Sequence, residues 1–572
     1  MLKTHDAAEH GLPVPARATA PRTKRERHGG ALAAAAAIAL VVVLPIAALI
    51  LIALSGSGAD WPHLAENVLP RSSVTTLTLL VMVAALTASI GVVGAWLVVA
   101  YDFPLRRLLA WALVLPLAVP PYLAAYAFVE FFDFTGPPQT ALRALFGFET
   151  GRDYWFPDIR STGGAAIVLS SVLYPYVYLT ARVVFLMQGR NIADVARTLG
   201  ARPLKVFLRI LLPVARPAIV AGVSLVLMET INDIGAVEYL GVRTLTFSVY
   251  STWLNRGSLE GAAQIATTML ALVLGLIFLE QWARRKQRFH GARSTHMKAR
   301  PPRVALAGWR AWLATIAVLT PVLSGFGVPF YIFGGYVSRR LDQLLEPAIL
   351  DAFLTSLATA GCTAVLTVLA ALVLLNATRL SRATAVAAVV RLASTGYALP
   401  GTILGLGLLF VLTGFDNFVD GAAQRWFGTG TGLLLSGSAA AVVIACSVRF
   451  IALAEGAIRS GLEKLPPHLD QAARSLGRTP AGSAREVLLP LLRPAILTAA
   501  VLVFVDTVKE LSATILLRPF GFNTLATYVY ENASRGVIED GAVAALLIIL
   551  TALVPVVLLS RALMRDAEAT QI

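Results

Sequence analysis

Four carboxylates stand where carboxylates are costly. Glu229 and Asp233, and later Asp506 and Glu510, fall inside stretches that are otherwise nearly all apolar. An ionisable side chain in a membrane-crossing segment is expensive, so it marks a candidate pathway by default. Each pair is four residues apart, which on a continuous helix puts both members on one face. Carboxylate oxygens are hard donors, and four of them around a single pathway would suit a trivalent cation. The other reading is that they pair with Arg182, Arg449 or Lys509 and hold helices together, as intramembrane charges commonly do. Lys509 stands three residues after Asp506, within reach on the same helix, whereas only the neutral Asn232 lies between Glu229 and Asp233. The first pair is therefore expected to present more net negative charge than the second.

Other chemistries find no residues to carry them. The two cysteines, Cys362 and Cys446, both lie in apolar stretches, where they read as small buried side chains with no disulfide framework or thiolate metal site to build. No Gly-x-x-x-x-Gly-Lys-Ser/Thr loop occurs, and the dipeptide Gly-Lys is absent, so nothing in the chain can cradle nucleotide phosphates. Neither a His-Glu-x-x-His site nor a nucleophile elbow is present, which leaves a membrane-bound hydrolase without a catalytic cluster. No cofactor is expected to be bound by this chain.

The elements that would position the carboxylates are membrane spans. The 572 residues are 57% hydrophobic and 14% charged, with a mean hydropathy of +0.72, a balance outside that of water-soluble domains. The net charge of +15 would point a soluble protein towards nucleic acid. Here the basic residues gather in short runs between apolar stretches, as in cytoplasmic loops, and no aromatic-basic module accompanies them, so membrane lipid and not nucleic acid is the expected surrounding. Apolar stretches of spanning length number about twelve, near 31–54, 73–100, 108–132, 163–187, 217–240, 262–279, 309–333, 352–375, 386–412, 433–457, 494–517 and 542–563. The fold class is thus all-α and polytopic. The first stretch follows a basic tail, 1–30, as a signal peptide would, but it is too long for a signal core and no small-residue cleavage site closes it. It reads as a retained first helix with its amino terminus in the cytoplasm.

A linker, 281–308, carries eight basic residues from Arg284 to Arg303 and no acidic one, and should be cytoplasmic. Asp133, Glu149, Asp153 and Asp158 mark one external loop, and Glu531, Glu539 and Asp540 another; Arg339 and Arg340 are the exception, basic residues placed outside. The linker separates two copies of one unit, 31–280 and 309–572. Gly200, Pro213 and Pro217 match Gly477, Pro490 and Pro494 at a constant shift of 277, and Leu-Leu-Pro-x-x-Arg-Pro-Ala-Ile recurs at 211–219 and 488–496. Six spans per copy, an even number, give both copies one orientation. The result is a parallel repeat about a pseudo-twofold axis along the membrane normal, enclosing one central pathway.

The loops after the fourth and tenth spans hold the most specific pattern. Asp194-Val195-Ala196, three residues, Gly200, nine residues and then Ile210-x-Leu212-Pro213 is repeated as Gln471-Ala472-Ala473, Gly477 and Val487-x-Leu489-Pro490. A helix ending near either glycine can turn sharply there, and a second short helix then runs to the proline, which stops it or starts the next span. Ala196 and Ala473 permit close approach by a partner, and flanking arginines hold the element at the cytoplasmic surface. This double pattern resembles the EAA loop of ABC importer permeases, Glu-Ala-Ala, three residues, Gly, nine residues, Ile-x-Leu-Pro. Asp194 and Gln471 replace the usual Glu, and Val195 an Ala. The resemblance extends over nearly the whole chain and is sharpest to the fused, two-repeat ferric-iron branch. Residues 228–239, Pro116 to Tyr122 and Tyr174 to Tyr178 carry that part.

The resemblance implies a non-enzymatic permease subunit in the cell inner membrane, with both termini cytoplasmic. It implies two copies of a separate ATPase that consume ATP and dock on Asp194, Ala196, Gly200 and Pro213 and on Gln471, Ala473, Gly477 and Pro490. It also implies a periplasmic or lipid-anchored solute-binding protein that delivers the solute. Ferric iron is the expected solute; thiamine, a phosphonate or a polyamine are the alternatives within this class. A secondary transporter driven by an ion gradient would show the same twelve spans but would leave both loops without a purpose.

Overall fold

The structure is a computed structural model that describes residues 29–58, 60–198, 203–285, 303–380, 384–466 and 468–569. It is built almost wholly of helices. Among the described residues eleven are long and apolar enough to cross a membrane, and a bent pair, Arg106–Ala118 with Pro121–Phe146, taken as one span makes a twelfth. The spans of the first half are Gly29–Ser55, Leu69–Ala100, the bent pair, Thr162–Thr198, Leu212–Asn232 and Leu259–Arg285. Those of the second are Trp309–Arg339, Pro347–Leu380, Gly401–Phe427, Ala439–Glu463, Leu489–Val508 and Ala542–Ala569. Large apolar side chains such as Leu54, Val81, Phe278, Leu354 and Leu497 point outward, as contact with lipid requires.

Several span boundaries differ from those expected, and proline or a polar cap accounts for each. The third stretch, expected over 108–132, breaks by 100° where Pro116, Pro120 and Pro121 remove ladder donors. The ninth, expected over 386–412, begins only at Gly401 after Pro400. Before it come a short helix, Thr384–Ala393, and a 3-10 turn, Ser394–Ala398. The tenth starts at Ala439 because 433–438 is a loop: the buried Asp416 carboxylate accepts from the N–H of Leu435 and Ser436 and from the Ser436 hydroxyl. The fifth and eleventh end at Asn232 and Val508, well before the expected 240 and 517.

A recurrent local device admits proline without ending a helix. At Leu64–Val68, Phe207–Leu211, Leu323–Gly327 and Ala484–Leu488 the helix widens into a single π turn. In each case the next residue but one is a proline: Pro70, Pro213, Pro329 and Pro490. Proline has no N–H and its ring crowds the carbonyl four residues back, and a turn closed at five residues relieves that crowding. Pro213 and Pro490 therefore do not stop the short helices before them, which run through the π turn into the fifth and eleventh spans.

The two halves interlock. Within each, the second, fourth and fifth spans pack on one another, but the first span of each half leans on the third span of the other. At one such crossing Gly407 lies so close to the first span that an added Cβ would stand 2.3 Å from the Pro45 carbonyl oxygen. A two-residue parallel ladder, Tyr101–Asp102 with Val304–Ala305, ties the end of the linker to the loop after the second span. At the opposite end Arg340 pairs with Glu539, at 2.7 Å, and with Asp540. The basic residue that broke the charge pattern thus sits among the acidic residues of its own side.

Candidate translocation site and coupling surface

The fifth and eleventh spans end at Asn232 and Val508, and a carboxylate shapes each end. Asp233 leaves the helical region (φ −81°, ψ 109°) and caps the short helix Ile234–Tyr239, its Oδ1 accepting from the Ala236 N–H at 2.6 Å. Glu510, its counterpart at the 277 shift, accepts from the N–H of Ala513 at 2.8 Å and of Thr514 at 3.0 Å, and from the Thr514 hydroxyl at 2.5 Å. Asp233 and Glu510 are therefore not on one helix face with Glu229 and Asp506, as a continuous helix would have placed them. Unwinding puts donors against carboxylates that a straight helix would have left without them.

All four carboxylates nonetheless line one cavity. Its walls include Tyr122, Tyr176, Asn232, Arg449, Lys509 and Ser512, and its volume is ≈ 60 Å³. That admits a few waters but is far below the ~300–1,000 Å³ of an ordinary ligand pocket, so the passage is constricted here. Glu229 accepts from the Tyr397 hydroxyl at 3.0 Å, Asp506 pairs with Lys509 at 2.7 Å, and Arg449 pairs with Glu510 at 2.9 Å. Two of the three expected cations, Arg449 and Lys509, thus serve the second pair. Arg182 instead lies 5.9 Å from the ring centre of Tyr178. Four carboxylates against two cations leave a formal charge of −2, weighted towards Glu229 and Asp233. Among the described residues no three acidic, histidine or cysteine side chains meet closely enough to hold a metal ion.

On the side towards the EAA-like loops, one helical turn from Glu229, a second cavity of ≈ 360 Å³ opens. It is apolar apart from Asp506, Lys509 and two tyrosines, Tyr176 and Tyr397, and the twelfth span contributes Ala552, Pro555 and Val556. On the other side the hydroxyls of Tyr250 and Tyr530 meet at 3.1 Å, and Tyr530 donates to Glu238 at 2.7 Å. The shift between the copies is 280 here, as the helix caps Thr244 and Thr524 show, so Tyr250 and Tyr530 are equivalent residues and their contact lies on the pseudo-twofold axis. Sequence reasoning did not single out these three residues. The repeat alignment carried the signal, since a tyrosine at the same place in both copies is what a contact across a twofold axis needs.

The residues expected to couple to an ATPase divide by copy. In the first, the fourth span continues as helix past Asp194 and Ala196 to Thr198, and Gly200 lies outside the described residues. In the second, Gln471 and Ala473 lie on the helix His468–Ser475, Gln471 exposed and Ala473 buried. Gly477 has φ +84°, and the Arg478 N–H reaches back to the Ala473 carbonyl, a left-handed helix cap of the expected kind. Thr479 then caps the following helix through the Gly482 N–H, and Arg478 pairs with Glu486 at 3.0 Å, so the chain reverses tightly.

Residues 88–288 and 365–567 each match the family described as "Binding-protein-dependent transport system inner membrane component". The Fe(3+)-transport system permease protein FbpB 2 of Haemophilus influenzae is 25% identical over 491 residues, 85% of this chain and 88% of that one. The sulfate transport system permease protein CysT of Salmonella typhimurium is 28% identical over 37% of this chain and 77% of its own. The putative 2-aminoethylphosphonate transport system permease protein PhnU of the same organism is 30% identical over 34% of this chain and 68% of its own. Two family matches, one in each half of an interlocked helical fold, show that the chain belongs to the inner-membrane components of binding-protein-dependent transport systems and is a fused, two-repeat permease of that family.

Proposed function

We propose that this permease passes ferric iron, released by a solute-binding protein on the external side, to the cytoplasm, with ATP hydrolysed by a separate ATPase chain. The observation that carries the cation reading is the axial cavity, where carboxylates outnumber cations four to two. The iron permease that resembles both halves at once supports it, whereas the sulfate and phosphonate permeases match over little more than a third of the chain. Glu229, Asp233, Asp506 and Glu510 form the pathway wall. Asp194, Ala196, Gly200 and Pro213, with Gln471, Ala473, Gly477 and Pro490, form two docking elements for a pair of ATPase subunits. Both termini and the 281–308 linker lie in the cytoplasm, and the chain binds no cofactor of its own. The gradient-driven reading is set aside, since the family depends on a binding protein.

Radioactive ferric iron, sulfate and 2-aminoethylphosphonate supplied separately to cells expressing the complete transporter test this reading. Energy-dependent uptake of iron alone is expected. Uptake of either anion without iron would overturn it, and the arginine and lysine of the cavity would then be the substrate contacts.

A further inference from the structure

The two copies differ most where their chemistry is densest. Position 232 of the first copy is Asn, and position 509 of the second is Lys. Asn232 is engaged twice across the axis: its Oδ1 accepts from the Gly401 N–H at 2.6 Å, satisfying an orphan donor at the start of the ninth span, and its carbonyl accepts from the Ser512 hydroxyl at 2.6 Å. Pro121 opens the matching helix of the first copy after Pro120, as Gly401 does after Pro400, and it has no N–H to satisfy. Position 509 is thereby released from the structural duty of its counterpart and carries an ammonium instead.

That ammonium is held unlike the other cation of the cavity. Arg449 and Glu510 are buried together, their side chains 8% and 1% exposed, and Glu510 is further tied by three donors from Ala513 and Thr514. Lys509 and Asp506 are about a quarter open, at 27% and 25%, and among the described residues Lys509 is the only hydrogen-bonding or ionic partner of Asp506. Both line the small charged cavity and the larger apolar one beside it. A lysine has a flexible four-carbon stem, apolar enough to lie in such a cavity while its head changes partners.

We propose that Lys509 is a tethered counter-cation, which neutralises Asp506 while the permease is empty and swings into the adjoining apolar cavity when the cargo cation takes its place. Lys509 is thus a specificity-determining residue. A cargo of low charge density gains too little from the carboxylates to displace a cation that is covalently present at high effective concentration, whereas a trivalent ion gains enough. The inference rests on the cation reading of the pathway.

The test uses the full-length detergent-purified chain and Tb3+, a hard trivalent probe whose luminescence neighbouring tyrosines sensitise. Lys509→Gln is expected to bind Tb3+ roughly tenfold more tightly than wild type, about 1.4 kcal/mol, and Lys509→Arg to stay near wild type. Asn232→Lys, which adds a second internal cation, should weaken binding by a similar factor. Asp506→Asn, which removes the shared partner, should also weaken it and serves if Lys509→Gln is not recovered folded. Equal affinity for wild type, Lys509→Gln and Asn232→Lys, with Glu229→Gln/Asp233→Asn abolishing the signal, would sink the counter-cation while sparing the cation pathway. A signal unchanged by Glu229→Gln/Asp233→Asn, or no binding by any form, would sink both.

Discussion

At the scale of single residues, pairing separates the carboxylates that hold the fold from those free to serve transport. Removing the charge of Glu510 leaves the Arg449 guanidinium buried without its counter-ion, a change that typically costs ~3–5 kcal/mol. Glu510→Gln is therefore expected to lower the yield of folded protein sharply, as measured by monodisperse recovery from membranes. Asp506→Asn, acting on a partly open pair, should lower it much less. Glu229→Gln/Asp233→Asn removes only negative charge; folded yield and ATP hydrolysis stimulated by the binding protein should survive while iron uptake per folded molecule falls. Unchanged uptake would leave these two carboxylates as packing elements. The four carboxylates and the Lys509–Asp506 pair were legible from the sequence because they are local. The Glu229–Tyr397 and Asn232–Gly401 bonds were not, since each joins segments almost 170 residues apart that meet only after the halves interlock.

At the scale of elements, periodicity and hydropathy located the spans but not their breaks. Hydropathy continues across Asn232 and Val508 because the residues after the unwound points are as apolar as those before. Only the need of Asp233 and Glu510 for donors reveals where the helix must end. The prolines were visible, but whether one bends a span by 100° or is absorbed in a π turn depends on what packs beside it. The glycine of the EAA-like loop behaved as its type dictates. At φ +84° a β-carbon costs about 1 kcal/mol or more. Gly477→Val should leave the chain inserted but displace the helix His468–Ser475, weakening co-purification of the ATPase and transport together. Wild-type co-purification would remove this loop from the docking surface. A second glycine tests the interlock: Gly407→Ala should push the first span off the ninth and lower thermal stability. Gly414→Ala, in the same helix with open space around it, should have little effect. Equal melting temperatures would mean that the crossing relaxes without cost.

At the scale of the whole molecule, the internal repeat was the most legible feature, because it needs no knowledge of packing. The exchange of first spans between halves was not, since nothing in either helix names its partner. The repeat nevertheless constrains topology strongly. Two copies of six spans share one orientation, and the ladder between Tyr101–Asp102 and Val304–Ala305 requires the linker end and the loop after the second span to lie on one side. Basic residues crowd both, Arg106 and Arg107 directly after the loop and eight in the linker, so that side is expected to be the cytoplasm. The one contrary pair, Arg339 and Arg340, carries little weight once Arg340 is matched by Glu539 and Asp540, which neutralise it at the opposite end. The prediction concerns single cysteines placed at Arg293 in the linker and at Arg152 in the exposed loop before the fourth span, in a Cys362→Ser/Cys446→Ala background. A membrane-impermeant maleimide added to sealed cells should label position 152 and spare 293, and opening the cells should expose 293. Labelling of 293 from outside would invert the molecule: the EAA-like loops would face away from any ATPase, and the Tyr250–Tyr530 contact would close the cytoplasmic end of the pathway instead of the end that receives the solute.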